Sequence, residues 1–340
     1  MHVAVMGLND GVVQLAERDG RWNLGEVSPI GHVESMAVDP ANPNRIYAGA
    51  AEDGLWRSDD GGATWERVGA GITRPVVATV AVSGSRAGSD GNVVYVGTQL
   101  SAVYRSEDGG RTFEELRSFQ DIPSRPIWAT PPAPDTHHVC SLVADPPGGE
   151  GVILVGLEQA GVVRSSDGGE TWDDLRPLAD EDPHSMLVHP DAPGRVYIAG
   201  GVSYCESSDC GDSWNRQVDG FEVTYFDRMA IDPGDPDTIV ISAAHEPFTG
   251  HGVFPSSQTW STVYRRTNGS GWSEVTEGLP SREGTAMGFL AANAAEAGVF
   301  YYATLPGELY RSTDGGGSWR REDADAIGAH RVTGLVCTEI

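Results

Sequence analysis

Titratable and aromatic side chains precede the same short apolar pattern at several points along the chain. The pattern reads Ser-Met-Ala-Val-Asp-Pro at 35–40 and returns in related form at 141–146, 185–190 and 228–233. The residues just before it, or before the apolar run at 334–337, are Glu34, Cys140, His184, Asp227 and Thr333. The residues two positions earlier are His32, His138, Tyr225 and Arg331. Side chains two apart on a strand share a face, so we expect both sets to line one opening.

Carboxyl and imidazole groups gathered at one opening can perform acid–base catalysis or bind a divalent cation. Glycoside hydrolysis needs two carboxyls, and the candidates are Glu34, Asp227 and Glu246, the last of which lies in a long loop. Water-filled channels also tolerate such polar side chains. We expect a wet lining of this kind, without a metal ion or a cofactor.

Four arginines fall in segments that separate the repeating units described below, and they are Arg74, Arg125, Arg282 and Arg331. A guanidinium group forms forked hydrogen bonds with carboxylate, sulfate or phosphate, so these residues could bind an anionic ligand. The alternative is that they pair with the abundant Asp and Glu. Two long connections, 117–137 and 244–262, carry Trp128 and His245, which are candidate ligand walls or belong to ordinary insertions.

A sequence motif that occurs five times indicates the structural elements that must position these residues. Ser-Asp-Asp-Gly-Gly-Ala-Thr-Trp at 58–65 returns at 106–113, 165–172, 207–214 and 312–319, and we call these segments the repeat turns. Their Ser and Asp side chains can accept hydrogen bonds from backbone N–H groups, and their glycines supply positive φ angles. We therefore interpret one carboxylate per turn as a turn former rather than as an acid or a metal ligand. These carboxylates belong to Asp60, Asp108, Asp167, Asp209 and Asp314.

A repeat of this size indicates units that stack around a shared core. Strand-like runs ahead of each repeat turn predict four strands per unit, which is the blade of a β-propeller. Two degenerate units raise the count to seven, and the C-terminal apolar run supplies the strand that the first blade lacks. The prediction is an all-β, seven-bladed propeller in one domain, 1–340. Its approximate blades are 331–340 with 1–27, 33–69, 76–118, 138–178, 183–220, 225–278 and 285–322.

The motif Ser-x-Asp-x-Gly-x-Thr/Ser-Trp/Phe resembles the Asp-box, or BNR, repeat of sialidases, sortilin, xyloglucanase-type glycosidases and photosystem assembly factors. In those families the box lies on the hairpin between the third and fourth strands of a blade, remote from the active face. The resemblance covers enzymes and non-enzymes alike. We expect a non-catalytic propeller that binds a small anionic or carbohydrate ligand, or a protein partner, around the channel mouth opposite the boxes. The alternative is a sialidase-like or xyloglucanase-like glycoside hydrolase.

The charge balance limits the partners and the setting. The chain has 49 acidic and 23 basic residues, a formal charge of −26, and every basic residue is Arg. This charge argues against nucleic acid as a partner. Acid excess without lysine resembles haloarchaeal proteins, whose carboxylates repel one another less at molar salt. With no signal-peptide core at 1–6 and no apolar stretch long enough to span a bilayer, we expect a cytoplasmic protein without a membrane partner.

The cysteines show no zinc-ligand spacing. They are Cys140, Cys205, Cys210 and Cys337. Cys205 and Cys210 are close enough in sequence to form a disulfide, but we favour free thiols because the expected compartment is reducing. We interpret Cys140 and Cys337 as small core residues rather than as nucleophiles.

Overall fold

Antiparallel strands account for most of the regular structure in the residues that the computed structural model describes, which are 1–128, 137–175, 178–251, 258–268 and 270–340. These strands form seven sheets of four, the blades. Written from the innermost strand outward, the first three blades are β28 (Val332–Glu339), β1 (His2–Leu8), β2 (Val12–Arg18), β3 (Arg21–Leu24); β4 (Val33–Asp39), β5 (Asn42–Ala50), β6 (Gly54–Ser58), β7 (Glu66–Val68); and β8 (Val77–Ala87), β9 (Asn92–Thr98), β10 (Val103–Ser106), β11 (Glu114–Glu115).

The other four blades follow the same order along the chain. They are β12 (Val139–Ala144), β13 (Ile153–Leu157), β14 (Gly161–Ser165), β15 (Asp173–Asp174); β16 (Pro183–Val188), β17 (Val196–Gly200), β18 (Tyr204–Ser207), β19 (Asn215–Gln217); β20 (Tyr225–Asp232), β21 (Asp235–Ala244), β22 (Thr262–Arg266), β23 (Ser273–Val275); and β24 (Phe289–Ala292), β25 (Phe300–Ala303), β26 (Leu309–Ser312), β27 (Arg320–Arg321).

The seven blades close into a ring. Each innermost strand packs against the innermost strand of the next blade, and β24 of the last blade packs against β28 of the first. β28 is the C-terminal strand, and it pairs antiparallel with β1. At the end of this pair the amino group of Met1 donates to the carbonyl of Ile340 over 2.9 Å. The prediction that the C-terminal strand completes the first blade is confirmed, and so is the seven-bladed β-propeller.

Apolar layers between neighbouring blades form the core. In the layer between the second and third blades, Tyr47 packs with Val96 and Phe113, and all three side chains are buried. Between the last and first blades, the rings of Trp22 and Tyr301 meet edge to face at 5.5 Å. Burying one such large side chain stabilises a fold by about 1.5–3 kcal/mol. Because each blade faces two neighbours, both faces of its strands are apolar.

The repeat turns are held by the same hydrogen bonds each time. In the first, the hydroxyl of Ser58 donates to Asp60 Oδ1 over 2.8 Å and accepts from the N–H of Gly62 over 2.8 Å. The other oxygen of Asp60 accepts from the hydroxyl of Thr64 over 2.6 Å. Although burial raises the pKa of Asp60, the bonds from Thr64 outweigh it and lower that pKa. The same bonds form around Asp108, Asp167, Asp209 and Asp314.

The repeat turns all lie on one face of the ring, because each joins a third strand to a fourth, as between β6 and β7. The strands of a blade alternate in direction, so the connections between blades lie on the opposite face, which we call the loop face. It is made of the described residues of 25–32, 69–76, 116–138, 175–182, 218–224, 276–288 and 322–331, with the loops 9–11, 51–53, 99–102, 158–160, 201–203, 245–261 and 304–308.

Short helices occur in the two long segments of the loop face. Two 3-10 helices cover Arg117–Asp121 and Arg125–Ile127, and one α-helical turn covers Pro247–Gly250. The parts of the predicted long loops at 129–136 and 252–257 lie outside the described residues. None of the helices within the described ranges has the length and apolar character that crossing a membrane requires.

Candidate functional site

The predicted ring of chemistry-bearing residues occupies β-bulges. In the described part of the chain, six of the seven innermost strands shift register near their first residues, and the unpaired positions are Glu34, Ala78, Cys140, His184, Asp227 with Arg228, and Thr333. A bulge frees a residue from the strand ladder and redirects its side chain. Five of these positions are the ring identified from the sequence pattern. All of them line the channel, so the structure brings the ring residues together.

A cavity of about 360 Å³ occupies the loop-face half of the channel, and all seven innermost strands contribute to its wall. Three residues outside the strands, His138, Glu158 and His251, add polar groups at its mouth. An adjoining cavity of about 370 Å³ shares part of this wall and adds His32 and Arg331. The size is typical of a small-molecule site. His138 and Tyr225 line the first cavity, so each residue of the second predicted set borders one of the two.

Glu158, Asp182 and His184 form a compact group in the wall between the fourth and fifth blades. One ligand atom from each lies within 4.8 Å of the others. His184 Nε2 lies 3.2 Å from Asp182 Oδ2, and its Nδ1 lies 2.6 Å from the carbonyl oxygen of Phe226. The N–H of Gln159 donates to the other oxygen of Asp182 over 2.9 Å. Asp182 and His184 are therefore held at defined positions relative to each other.

Burial and neighbouring charges set the protonation of this group. Burial disfavours the charged form of His184, but the bond to Asp182 and the charge of Asp227 outweigh it and raise its pKa to about 9. Burial also raises the pKa of Asp182, yet the bond from His184 leaves that pKa below its ordinary value. Burial and the charge of Asp182 raise the pKa of Glu158. The group thus contains two carboxyls whose pKa values shift in opposite directions.

Asp227 is the centre of a second polar group, on the sixth blade. Arg228 Nη1 lies 3.2 Å from Asp227 Oδ1, and His251 Nδ1 lies 3.9 Å from Asp227 Oδ2. His251 Nε2 in turn lies 2.9 Å from the hydroxyl of Tyr225. Burial raises the pKa of Asp227, but the charges of Arg228 and of the imidazoles outweigh it and keep that pKa below its ordinary value. Asp227 therefore stays ionised although it is buried.

The other ring residues make fewer polar contacts. Glu34 is partly exposed and lies 3.9 Å from His32 Nε2. The thiol of Cys140 donates to the carbonyl of Pro183 over 2.7 Å, and burial raises its pKa well above the ordinary value. The hydroxyl of Thr333 has no hydrogen-bond partner among the described residues. The thiol of Cys140 is therefore not a reactive thiolate.

Arg74 and Arg125 lie in the two connections that border the third blade on the loop face, near enough for the charge of Arg74 to act on Arg125. Arg125 donates to the carbonyls of Ser101 and Leu100 over 2.9 and 3.1 Å, and its guanidinium carbon lies 5.4 Å from the ring centre of Trp128. Burial and the charge of Arg74 lower the pKa of Arg125. Across the described residues, neither arginine forms an ion pair. Among the arginines described, Arg125 is the one whose pKa is lowered.

The other two predicted arginines are separate from this pair. Arg282 lies 3.0 Å from Glu274 and 3.4 Å from Glu222, so carboxylates already satisfy its guanidinium. Arg331 donates to the carbonyl of His251 over 2.5 Å at the edge of the second cavity. The four arginines thus form no single cluster.

Three further candidates lie outside the channel wall. Trp128 is buried, and its indole N–H donates to the hydroxyl of Ser124 over 3.0 Å. His245 stacks on Trp260 at 4.2 Å, away from both cavities. Glu246 is exposed and precedes the helical turn at Pro247–Gly250. Glu246 therefore does not join the carboxyls of the channel.

Sequence reasoning omitted Asp182 and Glu158 from the candidates. Asp182 stands two residues before His184, which is the offset that had identified His32 and His138. Glu158 follows β13 at the position that His245 takes after β21. The pattern therefore contained a signal for both residues.

Comparisons with known proteins give short sequence matches. A xyloglucanase of Hypocrea jecorina (strain QM6a) is 38% identical over 69 residues, which are 18% of this chain and 8% of that protein. Vacuolar protein sorting/targeting protein 10 of Colletotrichum graminicola is 26% identical over 97 residues, 27% of this chain and 6% of that protein. The matches thus span less than a tenth of these relatives. A search against protein-family models finds no match.

Solved structures match nearly the whole chain. The GH74 xyloglucanase of Xanthomonas campestris aligns with a TM-score of 0.63 at 20% identity, over 85% of this chain and 45% of that one. YCF48 bound to D1 peptide aligns with a TM-score of 0.59 at 15% identity, over 99% of this chain and 95% of that one. This chain therefore spans less than half of the xyloglucanase but nearly all of YCF48. At such identities the likeness establishes the fold, a seven-bladed β-propeller shared by hydrolases and by binding proteins.

Proposed function

We propose that this chain is a non-catalytic binding propeller of the Asp-box type, and that its loop face takes an anionic group of a small ligand or of a protein partner. The observation that carries the proposal is the pair of Arg74 and Arg125. The charges of two guanidinium groups act on each other on the loop face of a chain of net charge −26, and neither forms an ion pair within the described ranges, although the charge of Glu115 also acts on Arg125. A bound carboxylate, sulfate or phosphate relieves their repulsion.

The surroundings of the pair favour a built site. The guanidinium of Arg125 is fixed by the carbonyls of Leu100 and Ser101, both of which have positive φ angles, 61° and 33°. Such backbone conformations are costly for residues other than glycine and concentrate at functional sites. Ile127 beside the pair is 71% exposed, which is unusual for a large apolar side chain and suits contact with a partner.

The comparisons support a binding role for a single propeller. YCF48, which this chain covers almost completely, has been solved with a bound D1 peptide. An ancestral GH74 enzyme and the Xanthomonas campestris xyloglucanase are each more than twice as long as the part that this chain matches.

Calorimetric titration with citrate, inorganic phosphate and an acidic peptide with a free C-terminus tests the proposal. We expect at least one probe to bind the wild-type chain. A charge-assisted hydrogen bond contributes about 1.5–3 kcal/mol, so Arg74→Gln and Arg125→Gln should each weaken that binding about tenfold or more. Arg67→Gln is the matched control, because Arg67 is exposed and its substitution removes one positive charge elsewhere on the protein. Binding that all variants retain equally, or no binding of any probe, contradicts the proposal.

One observation favours a glycoside hydrolase as the second candidate. The channel cavity holds Glu158, whose pKa is raised, beside Asp227, whose pKa is lowered, and opposite shifts of this kind mark an acid and a base. A panel of chromogenic glycosides in molar KCl separates the two functions. If the wild type hydrolyses a glycoside and Glu158→Gln or Asp227→Asn abolishes that turnover, the enzymatic function replaces the binding proposal. Glu34→Gln tests whether a further carboxyl of the ring takes part.

We also propose that the chain works in a salt-rich, reducing cytoplasm. The support is compositional, because 49 acidic residues face 23 arginines with no lysine. The structure adds that all four cysteines are free thiols, as is usual where disulfides are kept reduced.

A further inference from the structure

Glu158, Asp182 and His184 form a compact group that has no part in the proposed anion site at Arg74 and Arg125. These residues come from two neighbouring blades, Glu158 after β13 and the other two at the entry of β16. Their side chains are 21%, 16% and 8% exposed, so they are largely shielded from solvent, and Glu158 and His184 line the channel cavity.

The imidazole of His184 is oriented as in metal sites. Its Nδ1 lies 2.6 Å from the carbonyl oxygen of Phe226, which belongs to the next blade and accepts the Nδ1 proton. This bond leaves Nε2 directed toward the two carboxyls. Metal-bound histidines donate their second ring N–H to a carbonyl or carboxylate in the same way, which fixes the ring and raises the basicity of the ligating nitrogen.

The two carboxyls are also arranged to leave oxygen atoms available. One oxygen of Asp182 is used by the N–H of Gln159, and the other faces His184. Glu158 Oε2 lies 4.0 Å from His138 Nε2, which brings a second imidazole near the group.

We propose that Glu158, Asp182 and His184 form a binding site for a divalent transition-metal ion of the Zn²⁺ or Mn²⁺ type in the channel wall. One nitrogen and two oxygen ligands suit such ions better than Mg²⁺ or Ca²⁺, which prefer oxygen ligands alone. Imidazole binds a metal without a proton on the ligating nitrogen, so the ion replaces the proton between His184 and Asp182. The open cavity leaves coordination positions for water or for a ligand atom.

The second His–carboxylate group of the described residues serves as an internal comparison. His2, Glu296 and Glu339 lie equally close together, but His2 Nδ1 is already 2.9 Å from Glu339, and Glu296 is 48% exposed. Among the residues that the structure describes, no backbone carbonyl bonds to His2 as that of Phe226 bonds to His184. This group is an ordinary exposed ion pair. In the experiment below it serves as the reference for surface carboxylates in the presence of added metal.

Equilibrium dialysis followed by elemental analysis tests the site on the full chain. The protein is dialysed against ZnCl2 or MnCl2 in molar KCl with excess MgCl2, which suppresses general binding to the acidic surface. We expect one Zn²⁺ or Mn²⁺ per chain for the wild type. Loss of one ligand should weaken binding about tenfold or more in Glu158→Gln and in Asp182→Asn. Glu339→Gln, the matched control, should bind as the wild type does.

The outcomes separate a metal site from a folding defect. The metal-free variants are first compared with the wild type by circular dichroism and thermal unfolding, and Asp182→Asn is replaced by Asp182→Glu if its fold is lost. No stoichiometric Zn²⁺ or Mn²⁺ in the wild type overturns the proposal. So does binding that Glu158→Gln retains unchanged, or binding that Glu339→Gln abolishes. None of these results depends on Arg74 or Arg125, so this inference and the proposed function can fail separately.

Discussion

At the scale of single residues, the serine of each repeat turn carries more hydrogen bonds than its size suggests. The hydroxyl of Ser165 donates to Asp167 Oδ1 over 2.8 Å and accepts from the N–H of Gly169 over 2.8 Å, and it is almost fully buried. The bonds from Thr171 to Asp167 come first among the causes that lower the pKa of that carboxyl to about 2. Serine and aspartate therefore act as one unit in which each fixes the other.

We predict that Ser165→Ala destabilises the protein more than its loss of one hydroxyl suggests. The substitution leaves the buried N–H of Gly169 without an acceptor, which costs about 1–3 kcal/mol. The measurement is the midpoint of urea unfolding. Ser166→Ala is the matched control, because Ser166 is exposed in the same turn. Equal midpoints for the two variants would show that the hydroxyl of Ser165 does not stabilise the turn.

At the scale of elements, a glycine in the second strand of several blades lets the next blade approach closely. A Cβ atom added at Gly97 in β9 would lie 2.4 Å from Val139 Cγ1, at the start of β12. A Cβ atom at Gly49 in β5 would lie 2.6 Å from Val77 Cγ1, at the start of β8. Each of these neighbours directly precedes a bulged residue. The glycines thus set the position of the strands that carry the channel side chains.

We predict that Gly97→Ala destabilises the propeller and shifts the entry of β12. Forcing an extra carbon into a packed site costs about 1–3 kcal/mol. Thermal unfolding measures the loss. Gly84→Ala is the matched control, because a Cβ atom there meets no other group within 4 Å and the backbone φ is not positive. A Gly97→Ala protein as stable as the Gly84→Ala protein would contradict the close approach seen in the structure.

The bulges also explain which parts of the site were predictable. The bulged residue stands at the same number of positions before the apolar pattern in each of these strands. Glu34 and Asp227 could therefore be assigned to one ring from the sequence. The repeat turns were predictable for the same reason, since Ser, Asp and Gly at fixed offsets satisfy the same backbone groups. His251 comes from a long loop, and no offset relates it to the other channel residues. Which arginine pairs with which of many carboxylates depends on distances across blades, as Arg282 illustrates.

At the scale of the whole molecule, the charge of −26 is the dominant electrostatic fact. Arginines offset part of it locally. Arg45 lies 2.6 Å from Asp59 and 3.3 Å from Asp90, and Arg195 lies 2.6 Å from Asp237. The arginines are fewer than half as many as the acids, so most of the repulsion among carboxylates remains. That repulsion opposes the compact state.

We predict that the thermal unfolding midpoint rises steeply when KCl is increased from decimolar to molar concentration. The screening length falls from about 10 Å to about 3 Å over this range, which removes most of the repulsion between surface carboxylates. Differential scanning calorimetry measures the effect, and sucrose at equal osmolality is the control for solvent exclusion. A midpoint that KCl leaves unchanged, or raises no more than sucrose does, would count against adaptation to salt.

The closure of the ring between β1 and β28 has a mechanical consequence. The two strands are antiparallel, so the chain ends emerge side by side, next to the pair of His2 and Glu339. A force that pulls these ends apart acts on one pair of residues at a time, so the hydrogen bonds between the two strands break one after another. Strands pulled along their length in opposite directions would instead share the load over every pair of residues. Under tension the molecule should therefore open first at its seam, while the remaining blades keep their shape.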